Sequence, residues 1–151
     1  MTERLVVDAS VIAKVSLRDE EHADLAIDLG TRFALGQVDI VAPQYILYEV
    51  PSAILNAVRR KKLSLGEGLD AVHEFFQLEL PTVGGDAGLE SITRRAYMLA
   101  QDVGCRLYDA LYVAVAQEFD YPLLTCDGRL YRGVSRHIRE ITWLGDYRAP
   151  A

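Results

Sequence analysis

The sequence predicts an α/β fold in which helices cover both faces of a central, mostly parallel sheet. Short apolar runs typical of buried strands alternate along the chain with longer segments whose apolar residues recur at helical spacing. The strand-like runs are predominantly apolar, which indicates that both faces of the sheet are buried. Neither an internal repeat nor a linker of biased composition interrupts the 151 residues, so we expect one domain over residues 1–151.

The first half of the chain supplies two strands and three helices in this prediction. Residues 5–7 form a buried strand that leads into a helix, with Ser10 as its N-cap. Residues 20–36 have the periodicity of one amphipathic helix, and residues 39–43 form a short strand. A third helix follows, and we expect it to kink or restart at Pro51, because proline removes a backbone donor.

The second half begins with three more helices around one short extended piece. Residues 65–80 predict a helix, and residues 81–83 predict the extended piece. The next helix ends at Gly104, since glycine tolerates the left-handed conformation that often closes a helix. Residues 107–119 are apolar on nearly every side, which indicates a buried helix.

Two further strands complete the predicted sheet. Residues 122–126 form a buried strand, which is followed by Asp127 and Gly128, a pair common in turns. Residues 141–144 supply the last strand. The alternation of strands and helices therefore continues to the end of the chain.

The overall charge sets a condition on any activity toward nucleic acids. The chain has 16 basic and 22 acidic residues, which gives a net charge of −6, so the surface as a whole repels a polyphosphate chain. Contact with RNA would therefore depend on local basic groups or bound cations. No segment has the pattern of a signal peptide or a membrane span, so we expect a cytoplasmic protein.

Four acidic residues stand where an open α/β sheet binds its ligands. Asp8 and Asp127 each follow a strand, and ligands bind beyond the carboxyl ends of strands, near the point where strand order reverses. Glu49 and Asp109 lie early in helices that would pack beside those strands. Because clustered carboxylates repel one another, they indicate a bound hard cation, and a set of oxygen ligands favours Mg²⁺ or Mn²⁺.

Each acid also has an ordinary structural interpretation. Asp8 could cap a helix, and Asp109 could be a first-turn acid favoured by the helix dipole. Asp127 could simply belong to a turn. Glu49 is the hardest to explain in this way, because its neighbours are apolar and an unpaired charge among them is costly. The four acids together are more specific than any one alone.

Four segments resemble successive motifs of the PIN-domain family. They occur in the family's order and span nearly the whole chain: residues 6–10 (VVDAS), 48–50 (YEV), 108–116 (YDALYVAVA) and 124–127 (LTCD). A single PIN domain of this length most resembles the VapC toxins of toxin–antitoxin pairs. The resemblance implies a PIN-like fold, endoribonuclease activity and, usually, a homodimer held by a small antitoxin protein.

The resemblance also assigns roles to individual residues. It implies that the magnesium or manganese site consists of four acids, Asp8, Glu49, Asp109 and Asp127. Ser10 matches the hydroxyl residue after the first acid, and Thr125 matches the one before the last. The sequence departs from many relatives after Glu49, where Pro51 precedes Ser52 and an asparagine commonly stands in the place of Ser52. This departure bears on how the glutamate is presented.

The expected reaction is hydrolysis of an RNA phosphodiester by a metal-activated water, which requires no protein nucleophile. Arg129 and Arg132 follow Asp127 closely, and Lys14 lies one helical turn past Ser10. These three basic residues are therefore candidate phosphate contacts. The alternative is that all three belong to the solvated surface.

Two other functions stay open on the sequence alone. A haloacid-dehalogenase-like phosphatase also has an aspartate after its first strand, but it needs a second aspartate two positions later, where this chain has Ser10. A non-catalytic module would keep the metal site and bind RNA or a protein partner without cleavage. All four acids are present, whereas such a module would more often have lost one.

Overall fold

A computed structural model of the chain describes residues 2–138 and 140–151. Within these ranges five strands form one sheet: β1 (Glu3–Val7), β2 (Val38–Pro43), β3 (Thr82–Val83), β4 (Leu123–Thr125) and β5 (Ile141–Trp143). The strand order is β3-β2-β1-β4-β5, and neighbouring strands pair in parallel. The predicted α/β class with a parallel sheet is confirmed.

The same part of the chain forms the helices α1 (Ala9–Lys14), α2 (Ala23–Ala34), α3 (Ile46–Arg59), α4 (Leu65–Gln77), α5 (Leu89–Val103), α6 (Leu107–Phe119) and α7 (Gly128–Val134). Two short 3₁₀ turns cover Asp86–Gly88 and Leu144–Asp146. Of the helices that these residues form, none has both the length and the hydropathy that a membrane crossing needs.

Helices cover the sheet on both faces, as the apolar strands predict. Leu5, Val6 and Val7 are consecutive residues of β1, and all three are buried. Because successive side chains of a strand point to opposite faces, both faces must be covered. Helix α6 packs against β1 and β2 and is buried along most of its length, while α1 packs against β4.

Three local expectations need correction. Asp8, not Ser10, is the N-cap of α1, because β1 ends at Val7 and the Asp8 carboxylate accepts bonds from the first free amides. Helix α3 runs without a restart through Pro51, since its buried face holds both halves of the helix against the core. Residues 128–134 form α7, although Asp127 and Gly128 at its start resemble an ordinary turn.

The strand order reverses beside β1. The chain adds β2 and β3 on one side of β1 and then β4 and β5 on the other. The carboxyl ends of β1 and β4 are therefore neighbours at the position where α/β sheets commonly bind ligands. Asp8 directly follows β1, and Asp127 lies two residues beyond the end of β4.

Candidate metal centre

Asp8 is the most deeply buried of the four acids, with 2% of its surface exposed. Its Oδ1 accepts the backbone amide of Ser10 at 3.0 Å and also the Ser10 hydroxyl. Its Oδ2 accepts the hydroxyl of Thr125 at 2.6 Å. Burial raises the pKa of Asp8 to about 6; the two hydroxyls lower it in part, and the negative charge of Asp127 raises it further.

The two supporting hydroxyls join the ends of β1 and β4. Ser10 Oγ accepts the backbone amide of Cys126 at 3.1 Å while it donates to Asp8. Thr125 Oγ1 accepts the amide of Asp127 at 3.0 Å while it donates to the other oxygen of Asp8. Asp8 and Asp127, the first and last of the four acids, are therefore connected by the two hydroxyl residues that the sequence analysis placed beside them.

Asp109 and Asp127 share an arginine. Asp127 caps α7, where its Oδ1 accepts the amides of Arg129 and Leu130 at 2.9 and 3.3 Å. The Nη2 of Arg129 lies 3.5 Å from Asp127 Oδ2 and 3.4 Å from Asp109 Oδ1. Arg106 approaches the same Asp109 oxygen to 3.5 Å. Even so, burial leaves the pKa of Asp109 above its ordinary value.

Glu49 belongs to the same electrostatic cluster, although it stands on a different helix. It lies in the first turn of α3, and its Oε2 accepts the hydroxyl of the buried Tyr112 at 3.4 Å. Burial, together with the negative charges of Asp8 and Asp109, raises its pKa to about 7. The four acids are thus close enough to repel one another.

The described basic residues do not balance the charge of this cluster. Within residues 2–138 and 140–151, the cations paired with the four carboxylates are the guanidinium groups of Arg106 and Arg129, and both arginines are about half exposed. A divalent cation would remove the remaining repulsion, and oxygen donors of this kind suit Mg²⁺ or Mn²⁺. In charge and donor chemistry the residues therefore fit such an ion.

The distances between the described carboxylates are too long for three of them to coordinate one ion in this conformation. Among the side chains of residues 2–138 and 140–151, no three histidine, cysteine, aspartate or glutamate groups are placed to hold an ion together. The carboxylates are instead satisfied by the hydroxyl, amide and guanidinium donors described above. Binding an ion would require at least some of them to turn away from these donors.

The basic residues expected at the site have different surroundings. Arg129 lies directly on the acids, whereas Arg132 is exposed and its guanidinium folds back over Gly128 at the start of α7. Lys14 is largely buried in an ion pair with Glu20, at 3.1 Å. Sequence reasoning missed Arg106, which its position three residues before Asp109 could have indicated.

Comparison with known proteins shows which sequences this chain resembles. A family model for the PIN domain matches residues 5–134. Ribonuclease VapC12 of Mycobacterium tuberculosis is 36% identical over 126 residues, which cover 83% of this chain and 88% of that protein. Ribonuclease VapC3 of Pyrobaculum aerophilum is 32% identical over 133 residues, which cover 84% of this chain and 92% of that protein.

Comparison of structures supports the fold. The crystal structure of PAE2754 from Pyrobaculum aerophilum superposes with a TM-score of 0.63, covering 96% of this chain and 93% of that one. The two sequences are only 19% identical, so this similarity concerns the arrangement of the backbone.

Proposed function

The chain belongs to the PIN domain family, and we propose that it is an endoribonuclease that uses Mg²⁺ or Mn²⁺ and acts in the cytoplasm as the toxin of a toxin–antitoxin pair. The observation that carries this proposal is the cluster of incompletely balanced carboxylates where the strand order reverses. The relatives named ribonucleases support RNA as the substrate. Membership of this family disfavours the phosphatase alternative.

We assign the binding of the ion to Asp8, Asp109 and Asp127. Ser10 and Thr125 fix both oxygens of Asp8, which keeps that carboxylate in one orientation at the end of β1. When bound, the ion supplies a lower pKa for the attacking water and stabilises the leaving 3′ oxygen. Glu49, which Tyr112 holds by a hydrogen bond, is assigned to orienting that water or holding a second ion.

We assign the grip on the RNA backbone first to Arg129, with Arg106 and Arg132 beside it. One guanidinium group can bind two phosphate oxygens at once. The guanidinium groups of Arg106 and Arg129 lie beside the acids, where the scissile phosphate would bind. Lys14 is proposed only as a weaker contact, because it would first have to leave Glu20.

Exposed apolar side chains on α4 and α5 are the basis for proposing partner proteins. Leu65 and Leu69 of α4 and Tyr97 and Met98 of α5 are each more than half exposed, which is costly in an isolated chain. We propose that a homodimer contact and a small antitoxin cover surfaces of this kind. Light scattering on the purified chain tests the dimer, and a monomer at high concentration would contradict it.

An RNA-cleavage assay tests the proposed activity. Single-stranded RNAs are incubated with the protein and Mn²⁺, with and without a chelator. We expect the chelator to stop cleavage and Asp8→Asn to reduce it by at least about 100-fold, because a lost ligand costs more than a lost supporting bond. Asp39→Asn is the matched control, since that exposed carboxylate of β2 pairs only loosely with Arg4 at 3.9 Å.

Two outcomes would contradict the proposal. Cleavage that persists unchanged in Asp8→Asn would remove the carboxylate cluster from the reaction. If the wild-type protein binds Mn²⁺ in a calorimeter and cuts none of the RNAs, the chain is a non-catalytic binding module instead.

A further inference from the structure

A cavity of about 220 Å³ lies between the start of α3 and helices α5 and α6. Gln44, Tyr45 and Tyr48 form one side of it, and Leu89, Ile92 and Leu111 contribute to the other. We call this space the tyrosine cavity. Its position is fixed by the fold, because Gln44 and Tyr45 directly follow β2. The backbone amide of Gln44 donates to the carbonyl of Val83 in β3 at 2.8 Å.

Two tyrosines connect the lining of the tyrosine cavity with the helices that carry Glu49 and Asp109. The ring of Tyr45 lines the cavity and also stacks on Tyr108, with ring centres 4.4 Å apart and an angle of 16° between the planes. Tyr108 precedes Asp109 in α6, and Tyr48 precedes Glu49 in α3. Burial and the charge of Glu49 raise the pKa of Tyr45, so its hydroxyl lies within the field of the acids.

The chemistry of the lining suits a flat, uncharged, partly apolar group. Among the described residues that line the cavity, none carries a charge, and aromatic and aliphatic side chains predominate. The amide of Gln44 and the hydroxyls of Tyr45, Tyr48 and Thr93 add a few polar groups. A phosphate would gain little here, whereas a nucleobase has apolar faces for stacking and a polar edge for hydrogen bonds.

We propose that the tyrosine cavity binds one unpaired nucleobase of the RNA next to the scissile phosphate. The inference rests on the proposed function, because the carboxylate site supplies the reason for RNA to lie beside the cavity. Tyr48, with 73% of its surface exposed, is the side chain best placed to stack on an incoming base. Gln44, also exposed, is assigned to the edge of that base, since an amide both donates and accepts.

A substrate requirement follows from this assignment. A base inside a duplex is already stacked on its neighbours and paired, so it cannot enter a side cavity without leaving the helix. The protein should therefore prefer a single-stranded segment or a loop, and the identity of one base near the cut should matter more than that of the others.

Fluorescence of a substituted RNA tests the inference separately from cleavage. Single-stranded RNAs carrying 2-aminopurine at successive positions around the cut are bound to the Asp8→Asn variant in the presence of Mn²⁺. We expect the fluorescence to change strongly at one position, because stacking on an aromatic ring quenches this base. Adding Tyr48→Ala should abolish that change and weaken binding by about ten-fold or more, whereas Tyr48→Phe should keep both.

A second measurement concerns the polar edge and uses the wild-type background. Gln44→Ala should reduce the preference for one base at the same position, because the side-chain amide that contacts the edge of that base is removed. Both substituted side chains are exposed, so neither variant should disturb folding. Light scattering on each variant shows whether the oligomeric state has changed.

The outcomes separate the two proposals. If RNA is cut but Tyr48→Ala leaves fluorescence, affinity and base preference unchanged, the base subsite is wrong and the nuclease stands. If Tyr48→Ala instead converts a dimer into a monomer without altering any fluorescence change, the cavity is a contact between copies and the inference is overturned. If no RNA is cut while one position still responds to Tyr48, the subsite stands and the catalytic proposal fails.

Discussion

The two ends of strand β1 carry polar clusters with opposite charge balance. At the amino end, Glu3 accepts Arg32 at 2.8 Å and the hydroxyl of Tyr147 at 2.8 Å, and Arg32 also donates to Tyr147 at 2.7 Å. One positive charge there meets one negative charge. At the carboxyl end, Asp8 is buried in a cluster with three other acids, and two half-exposed arginines oppose them within the part of the chain that the structure describes.

The difference separates a structural cluster from a functional one. The amino-end cluster finds all of its partners inside the chain, so it stabilises the fold without a ligand. We expect the carboxyl-end cluster to lower the stability of the chain at neutral pH, because burial and mutual repulsion raise the pKa values of Asp8 and Glu49 and so oppose their ionisation. Such unfavourable arrangements persist at sites that bind or react.

Among changes that leave all four acids in place, the largest effect should come from the hydroxyl that orients Asp8. Thr125→Val keeps the shape of this fully buried side chain but removes its bonds to the Asp8 carboxylate and the Asp127 amide. We expect kcat/KM for RNA cleavage with Mn²⁺ to fall by about 100-fold, as for other groups that orient a ligand. Thr125→Ser should retain most of the activity. A valine variant that cuts at the wild-type rate would show that Asp8 needs no such support.

The carboxyl-end acids should also give the chelated protein an unusual pH dependence. The folded-state pKa of Asp8, about 6, lies above its ordinary 3.8, so the folded state holds the proton more tightly. Its contribution to stability is therefore present below pH 4 and is lost as the pH rises through 6. We expect urea unfolding at pH 8 to find Asp8→Asn about 2–3 kcal/mol more stable than the wild type.

Two controls sharpen this prediction. The difference between the two proteins should vanish near pH 2.5, well below the ordinary pKa of 3.8, where Asp8 is protonated in both states. Mn²⁺ should stabilise the wild type more than the variant. A variant that is less stable than the wild type at pH 8 would contradict the unbalanced charge of this cluster.

Breaking the amino-end cluster should cost stability and leave the chemistry intact. Glu3→Gln removes the charge that Arg32 faces in a largely buried pair, so we expect a loss of about 2 kcal/mol in urea unfolding. Asp39→Asn removes half of the exposed Arg4 pair and should cost less than about 0.5 kcal/mol. Cleavage per folded molecule should not change in either variant. A loss of activity in Glu3→Gln would contradict the purely structural role of the amino-end cluster.

Sequence patterns could predict the carboxyl-end cluster because local rules place its members. Asp8 and Asp127 follow apolar strands, and the carboxyl ends of parallel strands meet at one edge of a sheet. The hydroxyls that hold Asp8 lie within two residues of these acids. Which carboxylate contacts which arginine was not predictable, because it depends on the packing of α6 beside α7.

The amino-end cluster gives no such signal. Glu3 and Tyr147 are 144 positions apart, and neither belongs to a periodic pattern that marks it as buried. Only the completed sheet brings them together, beside α2. The corrections to the helices have a similar origin: α3 continues past Pro51 because tertiary packing of its apolar face outweighs one missing hydrogen bond.

Apart from the control variants, the smallest effect should come from Arg129, one of the two cations that the chain supplies to the carboxyl-end cluster. Its guanidinium contacts Asp109 and Asp127, so an incoming Mn²⁺ competes with it for the same oxygens. Exposed ion pairs contribute less than about 1 kcal/mol, so Arg129→Gln should tighten Mn²⁺ binding in a calorimeter by no more than about five-fold. It should also weaken RNA binding and lower the salt slope by about one.

Arg132→Gln is the matched control for that experiment, because Arg132 lies on the same helix but folds over Gly128 instead of contacting the acids. It should leave the affinity for Mn²⁺ unchanged. If Arg129→Gln weakens the binding of Mn²⁺, the arginine supports the ion instead of competing with it. The carboxyl-end cluster would then be organised by its own arginine, much as Arg32 organises the cluster at the other end of β1.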